Sequence, residues 1–99
     1  MNHEEEDDVM ARLFNEELGY TVTIITAPEH VLKEDGPVVN QISNDEIIII
    51  YSDEFVDKKI TSAYDNNHEE FGDMAKGIGF AYLMSEAMKA ANKKFEASN

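Results

Sequence analysis

The sequence predicts an α+β fold in a single domain spanning residues 1–99, with an N-terminal helix, a small, mostly antiparallel sheet of three to four strands, and a long C-terminal helix. Three observations lead there. Apolar residues recur at three- and four-residue spacing near both ends of the chain. β-Branched residues cluster in short runs between those ends. A chain of 99 residues that is 42% hydrophobic, with four tyrosines and five phenylalanines, has apolar material for one core and not two. That content is also too high for intrinsic disorder, although 29% of the residues are charged.

The N-terminal helix is predicted over about residues 4–18. Asn2 suits the cap, Glu5 the third helical position, and Asp7 and Asp8 lie near the positive end of the helix dipole. Val9, Met10, Leu13, Phe14 and Leu18 then trace one stripe, and Gly19 suits the position after a helix end. The run from Tyr20 to Thr26, closed by Ala27 and Pro28, has strand composition. Glu29 to Gly36 forms a polar connection. Val38 to Ile42 and Glu46 to Tyr51 flank the turn-forming Ser43, Asn44 and Asp45, which predicts a β-hairpin, and the four isoleucines 47–50 predict a central strand buried on both faces. Phe55 to Tyr64 fits either a further short strand or a helical turn. The last helix opens at Asn67 and runs to about Phe95, with Phe71, Met74, Ala75, Ile78, Ala81, Tyr82, Met88 and Phe95 on one face and Phe80, Met84, Ala87 and Ala91 on another. This is more apolar surface than a three-stranded sheet covers, so a homodimer is expected through Ile78, Tyr82, Met84, Met88 and Phe95. Gly72, Gly77 and Gly79 each lower helix propensity by about 1 kcal/mol relative to alanine, and a break near Gly77–Gly79 is compatible with the pattern. Asn2-His3-Glu4-Glu5 and Asn67-His68-Glu69-Glu70 echo one another for one turn, which shared capping chemistry explains without a duplication.

Catalytic signatures are missing from the sequence. Gly77-Ile78-Gly79 lacks the third glycine and the preceding strand of a dinucleotide loop, and there is no phosphate loop, nucleophile elbow or cysteine. The expectation is a protein that is not an enzyme and takes no cofactor. His3, His30 and His68 never fall at the paired spacing of a zinc site. The stretch Asp65-Asn66-Asn67-His68-Glu69-Glu70 has Glu70 where a calcium loop needs glycine, so no metal is expected. The absence of cysteine, of a signal-peptide-like N-terminus and of any apolar run near ~20 residues points to the cytoplasm.

The charge is one-sided. All of the net −13 falls in residues 1–57, where fifteen acids face only Arg12 and Lys33, whereas six acids and six lysines balance from Lys58 onward. Such a surface steers basic partners over a Debye length of ~8–10 Å and opposes direct contact with nucleic acid or an anionic membrane. The acids recur in pairs at predicted element ends. If the strands run up, down and up, Glu16, Glu17, Asp45 and Glu46 gather at one sheet edge, and Glu29, Glu34, Asp35, Asp53, Glu54 and Asp57 at the other. Together with Asp7 and Asp8, these residues are the candidate partner-binding set, excepting Glu29. Carboxylates two apart on a strand stand ~6.6 Å apart, and duplex DNA carries a charge every ~1.7 Å of axis, so an acidic rim can imitate a phosphate track.

In size, acidity and lack of catalytic motifs the chain resembles the small acidic DNA-mimic inhibitors that bacteriophages direct against host DNA-binding proteins. The resemblance spans the general character of the whole chain and rests on no motif, so it transfers no functional residue. Within that group the chain looks most like those that block the histone-like nucleoid protein HU, which grips bent DNA through the minor groove with little base reading. The resemblance implies host takeover in a bacterial cell by occupying the basic DNA-binding surface of a nucleoid-associated protein. The alternative expectation is a non-enzymatic adaptor or regulatory domain that binds a partner through its C-terminal helix, its acids serving solubility.

Overall fold

A computed structural model describes residues 9–28 and 36–98, the last without its side chain. Four strands, β1 (Val9–Asn15), β2 (Tyr20–Ala27), β3 (Val38–Ser43) and β4 (Glu46–Ser52), are followed by helix α1 (Asp53–Phe71), a single 3-10 turn (Gly72–Met74) and helix α2 (Ala75–Ser98). The overall class is α+β, and the details depart from expectation in three places.

First, Val9 to Asn15 is an edge strand and not part of a helix, and residues 16–18 form a turn; residues 4–8 of the expected helix lie outside the described residues. Apolar residues at 9, 10, 13 and 14 satisfy helical spacing, but Ala11 and Leu13 also alternate with Arg12 and Phe14. The open edge of β2 decides between the two periods by offering a ladder, in which Leu13 faces Val22 and Ala11 faces Ile24. Gly19, at φ 76°, closes the β1–β2 turn, where its amide donates to the Asn15 carbonyl at 2.8 Å.

Second, the sheet is mixed and not mostly antiparallel in its centre. Its order is β1-β2-β4-β3, with antiparallel outer pairs and a parallel β2–β4 pair in the middle. The β3–β4 hairpin forms as its turn residues dictate, and β4 then inserts between β3 and β2. Tyr20, Val22 and Ile24 of β2 share one face with Ile47, Ile49 and Tyr51 of β4, and all six are fully buried. Burial of each large side chain contributes on the order of 1.5–3 kcal/mol, which makes this pair of strands the centre of the core. Ile48 and Ile50 point to the opposite face and are only half-buried, so the isoleucine run is fully buried on one face and not, as expected, on both.

Third, helix begins well before Asn67, and the helical C-terminal region is bent. Ser52 caps α1 through its side-chain oxygen, which accepts from the Phe55 amide at 3.1 Å, and Asp53 and Glu54 occupy the first turn. The segment 55–64 is therefore helix. The bend falls at Gly72 (φ 61°, ψ −138°), a backbone state that favours glycine. α2 then packs back along α1, so closely that a Cβ at Gly79 would stand 3.0 Å from the Ile60 Cα and 3.2 Å from the Ala63 Cβ.

Leu83, Ala87 and Ala91 of α2 are fully buried against the sheet, while Phe55, Val56 and Ile60 close the core beside Tyr51. Between Ile60 and Leu83 no side chain joins that core. Residues 61–82 thus form a helical hairpin that extends beyond the sheet and is held by its own helix–helix contact. Gly79→Leu is expected to destabilise the fold by about 1–3 kcal/mol through overpacking against α1. Gly77→Ala, whose Cβ would meet nothing within 4 Å, is expected to be neutral or stabilising by up to about 1 kcal/mol. Urea unfolding of the two variants checks both signs.

Candidate partner-binding surface

The parallel β2–β4 register places Thr21 beside Glu46, and the Thr21 amide donates to the Asp45 carbonyl at 2.9 Å. The β1–β2 turn, with Glu16 and Glu17, therefore stands beside the β3–β4 turn, with Asp45 and Glu46, and all four carboxylates are exposed. The turns are rigidly supported. Ser43 Oγ donates to Asp45 Oδ1 at 3.0 Å, Asn15 Oδ1 accepts from the Leu18 amide at 3.0 Å, and Asn15 Nδ2 donates to Asn92 Oδ1 at 3.2 Å. Tyr20 donates its hydroxyl to the same Asn92 oxygen and stacks on Phe95, ring centroids 4.5 Å apart, which clasps this end of the sheet to α2.

At the opposite end, Asp53, Glu54 and Asp57 start α1, about 23 Å along β4 from Glu46 at ~3.3 Å per residue. Asp7, Asp8, Glu34 and Asp35 lie outside the described residues. So does much of the charge, because residues 1–8 hold five acids and 29–35 hold three against Lys33, seven of the net thirteen negatives.

Sequence reasoning missed that the balanced half of the chain returns to the acidic one. α2 ends beside Tyr20 and β3, so Lys94 lines a surface with Ser43 and Asn44, and Glu96 stands near Tyr20. The field at the two-turn end stays acidic but is diluted. Only the strand pairing and the helix bend determine this return, and neither has a local signal.

The expected dimer residues divide into two groups. Met84, Met88 and Phe95 pack against the chain's own core. Ile78 and Tyr82 remain exposed and, with Ser62, Ala63 and Asn67, line a groove between the two helices. Lys59 Nζ lies 5.1 Å from the Tyr82 ring centroid and 5.3 Å from that of Phe55, a contact that covers part of both rings.

Among the described residues no group of three or more His, Cys, Asp or Glu could hold a metal ion, and no helix is long and apolar enough to cross a membrane. His68 accounts for itself locally, stacked on Tyr64 and hydrogen-bonded through Nδ1 to the Tyr64 carbonyl at 2.9 Å. Two phenols are displaced from their ordinary range. Burial, then the Glu86 carboxylate, pushes Tyr51 strongly upward, and its hydroxyl donates to the Leu83 carbonyl at 2.9 Å. Burial also raises Tyr20. Both belong to the core and the clasp, and neither faces a cleft.

Comparison with known proteins returns no matching family model, no matching curated protein and no matching solved structure. A functional reading therefore stands on the residues and their placement.

Because the folded pKa of Tyr51 lies above its unfolded value near ~10, its contribution is present below pH ~10 and is lost as pH rises toward the folded value. Wild type is expected to lose stability above pH ~10, and Tyr51→Phe to lose less there while being about 1 kcal/mol less stable at neutral pH. Denaturant midpoints across alkaline pH check the sign.

Proposed function

We propose that the chain is a DNA-mimic inhibitor that acts by binding alone, without catalysis or cofactor, and occupies the basic DNA-binding surface of a host nucleic-acid-binding protein. The supporting observation is the side-by-side placement of Glu16 and Glu17 with Asp45 and Glu46 on a rigid sheet end. Four exposed carboxylates on two adjacent turns concentrate negative charge at this end of the sheet, and the acidic start of α1 adds a second acidic cluster about 23 Å away along β4. Such a surface matches charge placement and not base edges. It suits a target that grips the DNA backbone with little sequence reading, of which the histone-like nucleoid protein HU is the type the sequence resemblance implies. On this reading the protein works in the cytoplasm of a bacterial host cell. The adaptor alternative assigns the binding to the helices and gives the acids no role beyond solubility.

Binding to purified HU and to bacterial lysate, eluted by a salt gradient and challenged with duplex DNA, tests the reading. Capture of a basic DNA-binding protein that DNA displaces is expected, with affinity falling steeply as salt rises. Joint replacement Glu16→Gln, Glu17→Gln, Asp45→Asn and Glu46→Gln is expected to weaken capture by about tenfold or more and flatten the salt dependence, with an unchanged circular dichroism spectrum. Capture indifferent to salt, DNA and these replacements would refute mimicry and favour the adaptor.

A further inference from the structure

The hairpin of residues 61–82 lacks the support of the sheet. Helical arms of this length are marginal in water by themselves, yet large apolar side chains remain open to solvent along it, including Met74 at 74%, Tyr82 at 52% and Ile78 at 40%. These three follow at four-residue intervals where the turn leads into α2, so they form one short stripe beside the groove with α1. The same helix face continues through Ser85 to the exposed Lys89.

We propose that this stripe binds a second copy of the same chain, the two hairpins packing antiparallel about a two-fold axis near Ile78 to form a four-helix bundle. Two properties of the stripe select a second copy as its occupant. The stripe is self-complementary about Ile78: an antiparallel partner sets Met74 against Tyr82 of the other copy, a thioether on an aromatic ring, and Ile78 against its own equivalent. Its flanks are complementary in charge. The hairpin turn carries Glu69, Glu70 and Asp73, and two turns beyond Tyr82 the stripe carries Lys89, so the antiparallel arrangement brings the acidic turn of each copy toward the lysine of the other. A parallel arrangement would set the acidic turns together. Surfaces formed by residues 1–57 would bring like charge to like in any self-association, whereas the region from Lys58 onward is balanced. The interface is therefore centred one to two turns nearer the bend than the sequence expectation, because Met84, Met88 and Phe95 are engaged by the chain's own core. The pairing is independent of what the acidic surface binds.

Light scattering and sedimentation of the full chain read the assembly directly. Wild type is expected at twice the 11.2 kDa chain mass, and Ile78→Asp at the monomer mass with unaltered helix content. A cross-linking pair keeps the test decisive should Ile78→Asp unfold. The chain has no cysteine, so oxidation of Ile78→Cys can join only position 78 of two copies, and it is expected to give a covalent dimer. Phe14→Cys, on the sheet face away from α2, is expected to stay uncrosslinked. Dimer formation by both readouts supports the pairing. A wild-type chain that is monomeric across the concentration series, or cross-linking through position 14 in place of 78, overturns it.

Discussion

The parallel pairing of β2 with β4 is the constraint on which the rest of the structure depends. Each strand is hydrogen-bonded on both edges, so both are interior, and β1 and β3 become the edges. The register Val22 with Ile47 and Ile24 with Ile49 brings fully buried β-branched side chains to one face, where the small residues Ala87 and Ala91 allow α2 to lie close. The same register sets the two acidic turns side by side. One pairing therefore serves both the core and the candidate binding surface, and a slip of one residue would expose the isoleucines and separate the turns from their supports.

The second organising feature is the reversal at Gly72. It directs α2 back past α1, where Gly79 removes the side chain that would hold the helices apart. The C-terminal half of α2 then covers the sheet, and its end returns to Tyr20 and Asn92. This path leaves the region around Gly72 without a sheet to cover it. Core packing and the exposed stripe are consequences of one bend, which divides the apolar residues of the C-terminal region between the chain's own interior and a surface open to association.

Charge and apolar surface are distributed to different parts of the molecule. The strand turns and the start of α1 display carboxylates, and the far part of the helical hairpin displays Met74, Ile78 and Tyr82. Lys94 tempers the acidic end without neutralising it, because α2 terminates there.

The sequence by itself determined the α+β class, the β-hairpin around Asn44, the strand character of residues 20–26 and 46–51 and the one-sided placement of charge along the chain. Each follows from local composition or short-range periodicity. Tertiary structure alone decided that residues 9–15 form a strand, because their spacing fits two periods and the free edge of β2 selected one. It decided that the central pair is parallel, since parallel order arises from the path of a crossover and leaves no mark in either strand. It decided where the helical region bends: Gly72, Gly77 and Gly79 are alike in propensity, but only Gly72 takes a left-handed φ and only Gly79 meets a neighbouring helix. It decided, finally, which apolar residues of α2 were left over, because an amphipathic stripe states that a face will be covered, and only the packed fold shows by what.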